Sequence, residues 1–105
     1  MKDYQKQLSK ILVQDFYNRY DKDMTIFFTS NVAYYCEEIS KKSTFPIKST
    51  YEAKAYKGHY IPLEVDPDHI IIQENQSDFY DIKTLFHEYS HACLFRDFLN
   101  SMYNN

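Results

Sequence analysis

Gly58 is the only glycine in the 105 residues of this chain. Glycine-rich phosphate loops and dinucleotide-binding turns need several glycines at fixed spacing, so both kinds of site are excluded. Folded domains commonly have about 50 to 250 residues, and we therefore expect a single domain that spans residues 1–105. The chain is 44% apolar and has 11 tyrosines and 8 phenylalanines, which is too hydrophobic and too aromatic for a disordered protein.

Charge and hydropathy exclude two classes of partner. The formal net charge is −3, whereas a protein that binds nucleic-acid backbones needs a basic stripe. No apolar run approaches the roughly 20 residues of a membrane-spanning helix. The N-terminus is charged and no apolar signal core follows it, so we expect a cytosolic protein with Cys36 and Cys93 reduced.

The first half of the chain predicts helix, strand and helix. Apolar residues recur at helical spacing over residues 3–20, and Asp21-Lys22-Asp23 ends that pattern. The stretch from Met24 to Thr29 is β-branched and aromatic, which is typical of a buried strand. Ser30 or Asn31 is placed to cap the next helix, which we expect to end near two lysines at 41 and 42.

The second half predicts two strands and a helix. A Ser/Thr/Pro loop at 43–50 precedes an extended stretch from Tyr51 to Leu63, which we expect to pair as a hairpin with a central strand from His69 to Gln73. A turn at 66–68 separates the two. Ser77 is placed to cap a last helix from Asp78 to about Met102. The prediction is a small α+β fold in the order α-β-α-β-β-α.

The last helix contains the sequence His87-Glu88-Tyr89-Ser90-His91, which is the pattern H-E-x-x-H. One helical turn separates the two histidines, so their side chains lie about 40° apart on one face. Two neutral imidazoles at that spacing can share a Zn²⁺ ion. Glu88 stands beside the pair, where in a peptidase it takes a proton from a metal-bound water. The pattern predicts zinc at His87 and His91, with Glu88 as the catalytic base if the chain is an enzyme.

The alternative is that both histidines are core residues. They belong to a single stripe of the helix that is otherwise mostly apolar. A buried histidine needs a hydrogen-bond partner, so this alternative requires a buried partner for each of the two residues. The other members of the stripe are Tyr80, Thr84, Phe95, Phe98 and Met102.

A zinc site of this kind needs a third protein ligand, and the sequence leaves several candidates open. Asp97 follows His91 by six residues, as the last ligand does in some zincins, but an uninterrupted helix turns it about 120° away. His59 and His69 flank the expected hairpin and could approach the helix from the sheet. An uninterrupted helix also turns Cys93 away from His91. Glu37 or Glu38, or a ligand from a second chain, are the remaining sources, and the chain is either a monomer or a dimer.

The stretch from Ala55 to His91 resembles the zincin-like metallopeptidase domains of the antirestriction protein ArdC family. The likeness rests on the segments Ala-Tyr-Lys-Gly-His-Tyr-Ile-Pro, Asp-Pro-Asp-His-Ile-Ile-Ile and Thr-Leu-Phe-His-Glu-Tyr-Ser-His. A weaker similarity extends to the ImmA/IrrE peptidases. The resemblance implies a zincin-like fold, zinc at His87 and His91, and a general base at Glu88. Those families usually take a third ligand, a glutamate, from a later helix, and we expect none in the residues that follow His91 here.

The profile of the chain also resembles small acidic anti-defence proteins of phages and mobile elements, among them anti-CRISPR inhibitors of Cas9. This likeness implies that the chain binds a host defence protein, with Cas9 as the specific expectation. Such inhibitors often present carboxylates to a basic channel, and six acidic residues within an 18-residue stretch could form that surface. They are Glu64, Asp66, Asp68, Glu74, Asp78 and Asp81.

Three functions remain open at this point. The first is a small zinc-binding anti-defence protein that acts by binding, with a degenerate metallopeptidase site in which zinc has a structural role. The second is an active zinc-dependent metallopeptidase. The third is a partner-binding domain without metal. The sequence leaves open whether the chain is an enzyme, because it does not identify a third zinc ligand.

Overall fold

Helices and strands alternate along most of the chain. A computed structural model describes residues 1–45, 57–74 and 77–103. Helix α1 spans Asp3–Tyr20, strand β1 Met24–Thr29, helix α2 Val32–Ser40, strand β2 Gly58–Ile61, strand β3 Asp68–Gln73 and helix α3 Asp78–Tyr103. The predicted α+β class is confirmed. The segment from Tyr51 to Tyr56 and much of the predicted loop at 43–50 lie outside the described residues.

The helix boundaries follow local side-chain chemistry. Asn31 Oδ1 accepts a hydrogen bond from the Tyr34 backbone N–H at 3.2 Å and so caps α2. Ser77 Oγ caps α3 in the same way, with the Tyr80 N–H at 3.2 Å. Helix α1 ends where Asp21 adopts a left-handed backbone conformation with φ of 52°. No helix among the described residues combines the length and apolarity that crossing a bilayer requires.

Strand β3 is the central strand of a three-stranded sheet within the described residues. It pairs in parallel with β1, with Ile70 opposite Ile26, and antiparallel with β2, with Ile70 opposite Tyr60. Alternate side chains of β3 enter two apolar clusters. Ile70 and Ile72 pack against α1 and α3, while Ile71 packs against α2. The sheet therefore separates α2 from the two longer helices.

Three buried or half-buried polar contacts hold α3 in place. Near its start, the Gln5 side-chain amide donates to Asp81 Oδ2 at 3.0 Å. In the middle, the Tyr89 hydroxyl donates to Asp15. Further along, Arg96 forms an ion pair with Asp68 at 2.7 Å. These contacts determine which face of α3 is turned away from the protein.

The predicted acidic surface is wrong for two of its six members. Asp68 and Asp81 are buried, with exposed fractions of 0% and 2%. Asp68 pairs with Arg96 and Asp81 Oδ2 accepts a hydrogen bond from Gln5, both inside the fold, while Asp78 at the surface pairs with Lys2 Nζ at 2.7 Å. The stretch from Glu64 to Asp81 therefore does not present a continuous row of free carboxylates.

Candidate metal centre

His87 and His91 lie side by side on the exposed face of α3. Their Nε2 atoms are 3.0 Å apart, and the rings meet edge to face with centroids 4.6 Å apart. Zn–N bonds of about 2.0–2.1 Å in tetrahedral geometry place two ligand nitrogens about 3.3 Å apart. The two imidazoles therefore fit a shared metal ion with little movement.

The alternative that the two histidines are core residues is wrong, because both side chains are exposed. The buried face of α3 is formed by other positions, and it includes the glutamate of the motif. These positions are Asp81, Thr84, Leu85, Glu88, Tyr89 and Ala92. The stripe that contains the histidines is largely solvent-exposed, with Phe98 at 61% and Met102 at 58%.

Glu88 is buried beside the exposed histidine pair. Its side chain passes the start of β2, where Cγ lies 3.1 Å from the position that a Cβ on Gly58 would occupy. Burial raises the pKa of the Glu88 carboxyl, and the positive charge of His87 partly opposes that shift. A buried carboxyl with a raised pKa, next to two histidines that could share a metal ion, has the properties of a general base.

Cys36 lies on the far side of the sheet among apolar residues of α2, β2 and β3. Burial, together with the negative charge of Glu88, raises the pKa of the Cys36 thiol to about 12. Neither Cys36 nor Cys93 forms a disulfide. Cys36 has the properties of a small buried apolar residue rather than a reactive thiol.

Asp97 and His69 are not brought to the histidine pair. Asp97 Oδ1 accepts a hydrogen bond from the Tyr20 hydroxyl at 2.9 Å, because α3 continues without a break and turns this residue toward α1. His69 alternates with Ile70 on β3 and shares the α2 side of the sheet with Ile71. Its Nδ1 lies 2.8 Å from the Pro67 carbonyl oxygen. Both residues are engaged elsewhere.

His59 is the one candidate of the three that shows an electrostatic interaction with the pair. It is half-buried on β2, next to Gly58. Burial lowers the pKa of His59, and the charge of His91 lowers it further. Glu37 and Glu38 are exposed on α2, and Glu38 pairs with Lys41 at 3.1 Å. Over residues 1–45, 57–74 and 77–103, no group of three His, Cys, Asp or Glu side chains is close enough to hold a metal.

A pocket of about 250 Å³ opens beside His87, between the start of β2 and α3. Two lysines and one buried carboxylate give it a mixed charge. Its lining residues are Lys57, Gly58, Tyr80, Lys83, Thr84, His87 and Glu88. The pocket gives solvent or a small polar group access to one side of the candidate centre.

Sequence reasoning did not identify the lysines of this pocket or the role of Gly58. Lys83 precedes His87 by four residues, so helical spacing alone places both on one face. A Cβ at Gly58 would lie 2.8 Å from Thr84 Cγ2, which shows that β2 approaches α3 too closely for a larger residue. A single glycine in a strand is typical of close approach by another element. The sequence did not show that the element here is α3.

Comparison of the chain with family models, with curated proteins and with solved structures finds no match.

Proposed function

We propose that this chain is a zinc-binding protein in which His87 and His91 hold the metal, and that it acts by binding another protein. The 3.0 Å separation of the two Nε2 atoms carries the metal proposal. The target proposed is a host defence effector, specifically Cas9. That part rests on the resemblance of the sequence to small anti-defence proteins, while the geometry supports the metal-binding part.

The position of the two ligands bears on what a metal would do here. Both belong to one helix and both are exposed, so zinc held by this pair alone does not tie α3 to another element. A structural role needs further ligands from outside α3, since structural zinc sites are closed by four ligands. When bound, zinc supplies a Lewis acid and coordination positions that other donor groups can occupy.

Exposed aromatic side chains away from the histidine pair support a binding role. Tyr34 and Tyr35 on α2 are 53% and 41% exposed, and their rings meet edge to face at 5.1 Å. Tyr17 on α1 is 49% exposed. Tyrosine offers a large apolar contact area with a polar tip, and it is enriched in protein interfaces.

A second candidate function, a metal-dependent peptidase, is favoured by the position of Glu88. Its buried carboxyl lines the pocket that opens beside His87. Burial raises the pKa of the Glu88 carboxyl, which makes it a better proton acceptor than an exposed glutamate. In this function Glu88 takes the proton of an attacking water, and the pocket receives part of the peptide next to the bond that is cut.

The metal is tested by elemental analysis of protein purified without a metal-binding tag. We expect bound zinc in the wild type and its loss in His87→Ala and His91→Ala. His69→Ala, on the opposite side of the sheet, is the matched control and should keep the metal. Absence of zinc from the wild type after zinc has been supplied would overturn the proposal.

Glu88→Gln separates the two functions. For the binding function, we expect this variant to keep zinc and to inhibit DNA cleavage by purified Cas9 as the wild type does, whereas His87→Ala should lose inhibition. For the peptidase function, Glu88→Gln should keep zinc and lose peptide hydrolysis. If the wild type neither binds nor inhibits Cas9, Cas9 is not the target.

A further inference from the structure

The candidate centre offers a zinc ion two ligands on an open surface. Protein-bound zinc is almost always held by three or four protein ligands. Within the described residues, no third His, Cys, Asp or Glu side chain completes a group with His87 and His91. If zinc binds as proposed above, its remaining donor atoms must come from outside this group of residues. The inference below rests on that proposal.

The helix face around the pair is apolar and exposed on both sides of the histidines. Tyr80 lies two turns before His87, while Leu94 and Phe98 follow His91 on the same face. Their exposed fractions are 40%, 67% and 61%. Exposed apolar side chains in a row on one face mark a surface that another molecule covers.

The spacing of these residues is symmetric about Tyr89. His87 and His91 each lie two positions from it, and Tyr80 and Phe98 nine. Two identical helices can pack antiparallel about a two-fold axis that crosses them at the height of Tyr89. Each residue then lies opposite its mirror position, which is the residue of the second copy that lies equally far from Tyr89 on the other side. Tyr80 then faces the second copy's Phe98, and His87 faces the second copy's His91.

We propose that the occupant of this face is a second copy of the chain, and that two copies share one zinc ion held by four imidazoles. Two-fold symmetry supplies two further histidines without any new ligand in either chain, whereas an unrelated protein would need two donors at a matched spacing. Tetrahedral coordination by four protein ligands is the usual arrangement of a closed zinc site.

Charges on this face are compatible with such a pairing. Lys83 borders the apolar row six positions before Tyr89, and its mirror position is Phe95, six positions after. Phe95 is uncharged and packs against the Phe45 and Tyr60 rings of its own chain, so the mirror position of Lys83 holds no second cation. Asp97, at the other border, is already paired with the Tyr20 hydroxyl of its own chain.

The test is the molar mass and zinc content of the full chain in solution, measured by light scattering and elemental analysis. We expect a 12.7 kDa monomer in EDTA and a dimer with one zinc per two chains after zinc is added. His87→Ala should remain a monomer with zinc. Phe98→Ser keeps all four ligands and should weaken dimerisation at least tenfold, whereas Ile11→Ser, at an exposed apolar position of α1, should not.

The outcomes distinguish this inference from the function on which it rests. One zinc per chain in a monomer would overturn the shared site and leave zinc binding intact. A dimer that forms equally well in EDTA, or in His87→Ala, would show that zinc does not join the copies. Absence of zinc binding in the wild type would overturn both proposals. Circular dichroism of each variant establishes that it is folded.

Discussion

Arg96 and Asp68 form a two-pronged ion pair that joins α3 to the start of β3. Arg96 Nε donates to Asp68 Oδ2 at 2.9 Å and Nη2 donates to Oδ1 at 2.7 Å. The same carboxylate accepts the Tyr60 hydroxyl at 2.7 Å and the Leu63 backbone N–H at 2.9 Å. Asp68 is fully buried, and besides these partners on β2, its following loop and α3 it has Lys22 Nζ at 3.9 Å. One carboxylate thereby fixes the helix that carries the histidine pair to the edge of the sheet.

Removal of one member of this pair should be strongly destabilising. Arg96→Ala leaves the buried Asp68 carboxylate without its two-pronged partner and with only the more distant Lys22 Nζ at 3.9 Å, and we expect it to lower the free energy of unfolding by about 3 kcal/mol. Urea unfolding at neutral pH measures the change. Arg19→Ala is the control, because Arg19 forms an exposed ion pair with Asp15 at 2.8 Å and such pairs contribute about 1 kcal/mol or less. Equal losses in the two variants would contradict the role assigned to Asp68.

Gly58 should not tolerate a side chain. A Cβ there would lie 2.8 Å from Thr84 Cγ2 and 3.0 Å from Ile72 Cδ1, both in the packed layer between β2 and α3. We expect Gly58→Ala to destabilise the protein by about 1–3 kcal/mol through overpacking, measured as a lower thermal midpoint.

A second substitution tests whether that contact is the cause. Thr84→Ser removes the Cγ2 atom that is nearest to the added Cβ, so Gly58→Ala with Thr84→Ser should recover part of the loss. The single variant Thr84→Ser provides the reference for the pair. If the double variant is destabilised by the sum of the two single effects, the clash with Thr84 is not responsible.

Much of the fold could be predicted from local patterns. The helix at residues 3–20 and the strand at Met24–Thr29 have the predicted bounds, and the helix from Asp78 ends one residue beyond the expected Met102. Of the two residues predicted as the cap of α2, Ser30 or Asn31, Asn31 makes the hydrogen bond, and Ser77 caps α3 as predicted. These features depend on residues that are close in sequence, so periodicity and capping chemistry were sufficient.

The misplaced carboxylates show where local patterns fail. Both Asp68 and Asp81 were expected at an acidic surface, yet both are buried. Their partners, Arg96 and Gln5, are 28 and 76 residues away along the chain. Local sequence patterns do not predict pairings over those distances, because each pairing depends on how the helices pack.

The exposure of the histidines was unpredictable for a related reason. Helix α3 carries large apolar side chains all round, with Leu85 and Tyr89 inside and Leu94 and Phe98 outside. Periodicity identifies a helix under these conditions but does not identify its buried face. The spacing in the H-E-x-x-H pattern did place the two imidazoles together, and that part of the site follows from helix geometry alone.

Zinc should raise the thermal stability of the wild type through the histidine pair. A ligand that binds only the folded state adds about 2.7 kcal/mol at a free concentration of 100 times its Kd. We expect the unfolding midpoint of the wild type to rise with zinc, and that of His91→Ala to be the same in zinc and in EDTA. His69→Ala should respond as the wild type does. A rise of equal size in His91→Ala would place the metal elsewhere.

Glu88→Gln should stabilise the metal-free protein at neutral pH. Burial raises the pKa of Glu88 in the folded state above its ordinary value of 4.5, so the folded protein holds this proton more tightly than the unfolded chain does. The wild type therefore loses stability as the pH rises from about 4.5 through the folded pKa of Glu88. Glutamine stays uncharged throughout, and we expect a gain of about 1 kcal/mol at pH 7.5.

Urea unfolding in EDTA between pH 4 and pH 8 measures this difference. The difference between the curves of Glu88→Gln and the wild type should be smallest at pH 4, where Glu88 is mostly protonated in both states, and should grow as the pH rises. Glu37→Gln, at an exposed position of α2, should follow the wild type over the whole range. A Glu88→Gln variant less stable than the wild type at pH 7.5 would mean that the ionised carboxylate has a stabilising partner. A gain in stability instead identifies Glu88 as a residue kept at a cost to the fold, as expected of a group retained for the chemistry of the site.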